Sequence, residues 1–155
     1  MSAPFKLADH ISTISLAEPG SFPSPPQLCY THGWGKDSTG KYQEVRQEEK
    51  VSLLSPEVCQ SQLRENSELG PQYELQPSLV CTGGTETCRG DEGSPLVCQL
   101  SPGLYYQAGV VSYTGGCGRE DVPVVFTSVA SVSCWIDKEV GKQKTFLIFS
   151  IFFFN

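Results

Sequence analysis

The sequence predicts an all-β domain, an antiparallel barrel that ends in a C-terminal helix. Three observations predict it. The 155 residues include 15 glycines and 11 prolines while charged residues make only 18% of the chain, a turn-rich globular balance. Segments 95–100, 104–113 and 122–127 are rich in Val, Tyr and Leu and are bounded by turns containing Gly or Pro, as strands are. Val129, Val132, Ile136 and Val140 then fall on one helical face, with Gly141 placed to stop the helix. The length suits one domain.

In chain order, residues 21–28 (SFPSPPQL) carry three prolines and two serines and read as an extended linker or wrapping segment. Folding proper is expected to start near Cys29. Between residues 43 and 50 Val45 is the only strong apolar residue, and Arg46 and Glu49 add charge, so a strand here is an exposed edge or has drifted from its pattern. Ser55, Pro56 and Glu57 supply a cap, a proline at the first helical position and an acid beside the positive helix end, which predicts a short helix over 56–64 carrying Cys59. The strands and the final helix follow. The chain holds no internal repeat.

Eleven Lys and Arg stand against 17 Asp and Glu, a net charge of −6, which leaves no basic surplus to neutralise a nucleic-acid backbone. The seven cysteines, at 29, 59, 81, 88, 98, 117 and 134, include no Cys-x-x-Cys pair, and His10 and His32 suit no ligand pairing. No metal and no other cofactor is expected. Disulfides in an oxidising compartment are the better reading, with one cysteine left over. Residues 1–20 nevertheless have no apolar run of the kind that an export signal needs, so the sequence is expected to be a piece of a longer secreted protein. Residues 146–154 (FLIFSIFFF) reach about half the roughly 20 residues of a membrane span. They read as an aberrant hydrophobic tail, over 141–155, rather than an anchor, and no membrane partner is expected.

The run CRGDEGSPLVC, residues 88–98, places Gly-Asp-x-Gly-x-Pro between two cysteines and ahead of an apolar strand. Here the sequence resembles the chymotrypsin-like serine protease family, whose Gly-Asp-Ser-Gly-Gly-Pro loop aims backbone N–H groups at the substrate oxyanion. Other pieces fall in the family's order: CYTHGWG at 29–35, VVSYTGGCG at 110–118 and Trp135-Ile136-Asp137. The resemblance covers roughly residues 4 to 140 and implies the second, six-stranded antiparallel barrel of a double-barrel fold, with the first barrel mostly missing. In that frame residues 1–28 are the connection between barrels and 29–140 the C-terminal barrel. The resemblance also proposes disulfides Cys29 with Cys98, Cys59 with Cys81, and Cys88 with Cys117; spacing alone could not choose among the many connectivities. Cys134 is left either for a partner in an upstream portion or as a free buried thiol.

The resemblance does not imply catalysis. Glu92 matches the position of the nucleophilic serine, with Gly90 and Asp91 at the oxyanion-loop positions. A carboxylate has no hydroxyl to activate, and its attack on an amide would expel a poor leaving group and yield an anhydride. The Ala-Ala-His-Cys and Asp-Ile-Ala-Leu segments that hold the family's base and orienting acid are not present. His10 and His32 read as structural or solvent-facing. Glu86 matches the floor of the substrate pocket and Tyr113 its rim, but Thr114 and Val124 replace usual glycines, so the pocket is expected to be narrowed or filled. Glu86 is then a solvated or hydrogen-bonded acid before it is a recognition group.

Ser94 and Pro95, with GWGKD at 33–37, KYQ at 41–43, LGP at 69–71 and YQAG at 106–109, are similar to the non-catalytic arthropod homologues that carry an amino-terminal clip domain, especially phenoloxidase-activating factor 2-like proteins. Those have Gly where Glu92 stands. What this implies is a secreted, inactive cofactor in a proteolytic cascade, whose protein partners would be prophenoloxidase or its activating protease. Binding would use barrel loops, with the 36–41 turn, the 65–76 loop and the rim around Tyr113 as candidates. The Arg-Gly-Asp tripeptide at 89–91 is already demanded by the protease-like loop and carries no integrin assignment. The alternatives are the carboxyl-terminal half of an active trypsin-like endopeptidase, or a truncated gene product that does not fold alone.

Overall fold

The computed structural model describes residues 5–24, 27–83, 90–114, 119 and 121–141. Its elements are β1 (Ser15–Leu16), β2 (Cys29–Gly33), β3 (Gln47–Val51), α1 (Pro56–Asn66), β4 (Leu79–Thr82), β5 (Pro95–Ser101), β6 (Leu104–Thr114), β7 (Val124–Ser128) and α2 (Val129–Gly141). Six strands run in the spatial order β3-β2-β5-β6-β7-β4, every neighbouring pair antiparallel. The two end strands then meet. A bridge joins Leu53 to Thr82, Leu54 N–H donates to Cys81 O at 3.0 Å and Gly83 N–H to Ser52 O at 2.8 Å, which closes the sheet into a barrel.

The apolar interior explains the closure. Val51, Leu53, Val80, Leu96, Ala108, Val111, Val124 and Phe126 form one buried cluster drawn from five strands and the segment just after β3. Gly109 lets β6 approach it: a Cβ there would lie 2.9 Å from the Phe126 Cβ and 3.4 Å from the Leu96 Cβ, tighter than packed carbons accept. Among the described residues two disulfides pin the barrel. Cys29 and Cys98 are bonded directly across β2 and β5, and Cys59 on α1 is bonded to Cys81 on β4. Cys88 and Cys117 lie outside the described residues, as do Glu86 and the 146–154 run.

The first helix forms for the local reasons its sequence supplies. Ser55 accepts from Val58 N–H at 3.3 Å, Pro56 opens the helix, and Cys59 and Leu63, one turn apart, are its buried face. It runs to Asn66, two residues beyond expectation, because the Ser67 hydroxyl and backbone N–H both bond to Leu63 O and satisfy the last turn. Strand β7 begins at Val124 instead of Val122, since Pro123 has no N–H to give the ladder. Val122 and Pro123 are buried nonetheless.

Helix α2 turns Val129, Ala130 and Ile136 to the sheet and leaves Trp135 and Cys134 exposed. The exposure of Cys134 removes one of its two alternatives: its thiol is free among the described residues, but it is not buried. The face of α2 that packs is set by Val129, Ser133 and Ile136, and Cys134 lies off it. A second finding is unannounced by the sequence pattern. Strand β1 pairs in parallel with β6, Ser15 opposite Tyr106 and Leu16 opposite Gln107, and Ala17 is 3% exposed against Val129 and Ala130. Residues ahead of Cys29 therefore contribute to the core. Strand β3 ends the strand order, and its charges, Glu48, Glu49 and Lys50, are tolerated there because that strand has only one full ladder partner.

Candidate functional site

The loop between β4 and β5 carries Gly90, Asp91, Glu92 and Gly93. Gly90 and Gly93 adopt φ of +105° and +89°, backbone that side chains strain to reach. Ser94 N–H donates to Asp91 O at 2.9 Å, and Gly93 N–H to Val111 O at 2.9 Å, so the loop is turned tightly and tied to β6.

Within this turn the two acids part company. Asp91 points inward, 7% exposed, and its Oδ1 accepts from Gly35 N–H at 2.7 Å. Glycine is required opposite: a Cβ on Gly33 or on Gly35 would overlap the Asp91 carboxylate. Glu92 points outward and is exposed, and its carboxylate folds back to accept from Gly90 N–H at 2.7 Å. The same residue is covered from the other side by Tyr42, since a Cβ on Gly90 would stand 2.9 Å from the Tyr42 ring and 3.3 Å from the Gly35 Cα.

Tyr42 belongs to a hairpin whose geometry its own sequence sets. The Asp37 carboxylate accepts from Thr39 Oγ1 and N–H, from Lys41 N–H and from Gln43 Nε2, and the Thr39 hydroxyl followed by the Lys41 N–H hold its pKa below the ordinary carboxylate range. Lys36 places its ammonium 5.1 Å from the centre of the Tyr42 ring. The hairpin thus clasps the Gly90 turn through Gly35 and Tyr42.

A cavity of about 180 Å³ opens beside this clasp, lined by Thr31, His32, Gly33, Glu48 and Asp91 among others. Thr31 Oγ1 is buried and has no hydrogen-bond partner among the described residues. His32 is 7% exposed, and burial first, then the neighbouring Arg46 guanidinium, pushes its pKa below 6.5 against the smaller upward pull of Glu48. His10 is exposed, in the turn between Ala8 and Ile11.

The residues expected at the substrate pocket lie on β6 and β7. Thr114 stands directly opposite Val124 across the ladder. Val124 is 2% exposed and belongs to the barrel core, while Tyr113 packs on the cluster of Cys59, Leu63, Cys81 and Val125. Burial, and next the Tyr113 hydroxyl, raise the pKa of Tyr73 beside it. Among the described residues no group of three or more His, Cys, Asp or Glu side chains is arranged to hold a metal ion.

The sequence singled out Gly90, Asp91 and Glu92, and the structure brings them into one turn. It also adds Tyr42, Gly33, Gly35 and the His32–Arg46–Glu48 cluster. The Gly-x-Gly spacing at 33–35 was a legible hint of close backbone approach; nothing in the pattern marked Tyr42 or Arg46 as neighbours of these groups.

The trypsin family model matches residues 1–136. The chain belongs to the trypsin family. Among its relatives, phenoloxidase-activating factor 2 of Galleria mellonella is 36% identical over 149 residues, 91% of this chain and 49% of that protein. An inactive CLIP domain-containing serine protease, A3 of Aedes aegypti, is 41% identical over 119 residues, 73% of this chain and 25% of that protein. A second, A28 of Anopheles gambiae, is 33% identical over 145 residues, 88% of this chain and 38% of that protein. The chain therefore spans about half, or less, of the length of these curated relatives. The mostly-β sheet with its C-terminal helix is consistent with the second barrel of the trypsin-like fold, and several of the relatives are named as inactive homologues.

Proposed function

We propose that this chain is the C-terminal barrel, over residues 29–140, of a secreted, non-catalytic protease homologue that serves as a binding cofactor in a proteolytic cascade of the kind that activates prophenoloxidase. Residues 1–28 are in this reading the connection that precedes the barrel. The observation that carries it is Glu92: the side chain at the position matched to the nucleophile is a carboxylate, and it accepts from Gly90 N–H at 2.7 Å. That carboxylate has no proton to give up in attack, and it occupies a backbone donor of the kind that an acyl oxygen would need. Val124 and Thr114, opposite each other across the β6–β7 ladder, stand where the family usually has glycines, which is the reason to expect a narrowed pocket. The names of the relatives support the cascade, and the two disulfides support an oxidising compartment.

The test is direct. The unmodified protein, incubated with peptide arylamides ending in Lys, Arg, Phe or Ala and with a fluorophosphonate label, is expected to release no amine and take up no label. Turnover or labelling at residue 92 would refute the reading in favour of an active endopeptidase. Binding to prophenoloxidase or to its activating protease, measured by calorimetry, is the accompanying positive expectation.

A further inference from the structure

His32 sits on β2 directly opposite Glu48 of β3, between the barrel wall and the cavity that Asp91 also lines. Two polar neighbours address one ring nitrogen. Arg46 Nη1 lies 2.8 Å from Nδ1, and Glu48 Oε2 lies 3.4 Å from the same atom. A guanidinium is always protonated and can only donate, so Nδ1 is the acceptor here and the ring proton resides on Nε2. The carboxylate can only accept, and against a bare Nδ1 it has nothing to receive.

A proton arriving from solvent has one site on this ring, the Nδ1 lone pair that Arg46 already uses. Uptake therefore breaks the Arg46 hydrogen bond and creates an N–H that the Glu48 carboxylate can accept. In this exchange one proton enters, one hydrogen bond is lost and one is gained. We propose that His32 is a proton-operated latch: neutral, it holds Arg46, and protonated, it releases Arg46 and donates to Glu48.

The remaining charges around the ring set how readily the latch turns. Arg46 and Lys36 oppose a second cation. Glu48 and Glu49 of β3, Asp37 of the hairpin and Asp91 of the Gly90 turn favour it, and Tyr30 and Tyr105 complete the wall. Burial weighs against the charged ring, which places the transition on the acid side of 6.5. The consequence is local. Arg46 anchors the segment that leads into β3, and His32 adjoins Gly33, which abuts the Asp91 carboxylate, so the latch acts on the segment and the cavity wall together.

The test is nitrogen-edited NMR of the imidazoles in the full-length chain, titrated between about pH 5 and 8. The expected result is a His32 ring protonated on Nε2 at neutral pH, a titration midpoint below 6.5, and a co-titrating change in the Arg46 side-chain N–H signals. Arg46→Ala should raise the midpoint and Glu48→Gln should lower it. Faster amide exchange over residues 43–47 should follow protonation. A neutral ring carrying its proton on Nδ1, or Arg46 signals that stay constant through the His32 transition, would overturn the proposal. Both readouts come from the unmodified chain, so they decide even where a variant fails to fold.

Discussion

Replacing Gly33 by alanine tests the clasp that holds the Gly90 turn. The new Cβ overlaps Oδ1 of Asp91 and falls 2.6 Å from its Cγ, and the neighbour that must yield is a buried carboxylate bonded to Gly35 N–H at 2.7 Å. Moving it forfeits a backbone-to-carboxylate hydrogen bond, about 1.5–3 kcal/mol. The overpacking itself costs about 1–3 kcal/mol. The expected loss is about 2.5–6 kcal/mol, a large part of the roughly 5–15 kcal/mol of an ordinary domain. Gly40→Ala is the internal comparison. Gly40 has φ +84° and nothing within 4 Å of its would-be Cβ, so only backbone strain applies, about 1–2 kcal/mol. Urea denaturation of both variants measures the difference, and the Gly35 amide resonance reports whether its bond to Asp91 survives. Equal midpoint shifts for the two variants, or a Gly35 amide unmoved by Gly33→Ala, would refute the reasoning.

Opening the Cys59–Cys81 bridge by a double serine substitution releases a loop with sequence separation 22 and should lower the unfolding free energy by about 3 kcal/mol, seen as an earlier denaturant midpoint. Ser55→Ala removes the oxygen that caps Val58 N–H and should cost about 1 kcal/mol, with fraying confined to the first turn of α1 in amide exchange. The depressed pKa of His32 means that the unfolded chain binds more protons than the folded one below pH 6.5. That contribution to stability is present in full above 6.5 and is lost as pH falls toward the folded-state value. His32→Gln should flatten the acid limb of a plot of thermal midpoint against pH, and an unchanged limb would contradict the assignment.

How much could be read before the structure depended on how locally each feature is encoded. Helix α1 was legible in Ser55, Pro56 and Glu57 because a cap, a proline and a dipole partner act within one turn. Strands β5 and β6 were legible for a similar reason, since runs rich in Val, Leu and Tyr bounded by turn residues suit a strand that packs into a core. Gly90, Asp91 and Glu92 stood out as a contiguous motif. Strand β1 did not, because its two residues are held by a ladder to β6 some ninety positions away and have no periodicity of their own.

By itself, then, the sequence determined the elements whose causes lie within a few residues: the capped helix, the turn-bounded strands, the amphipathic face of α2 and the loop bearing a carboxylate at residue 92. It also determined the charge balance that argues against a nucleic-acid partner. Only the tertiary structure decided how β3 meets β4 through Leu53 and Thr82, that Asp91 turns in to Gly35 while Glu92 turns out to Gly90, that Tyr42 lies over that turn, and that Arg46 reaches His32. These are contacts between segments distant in the chain. Their energies come from burial and from hydrogen-bond geometry, which exist only once the barrel has closed.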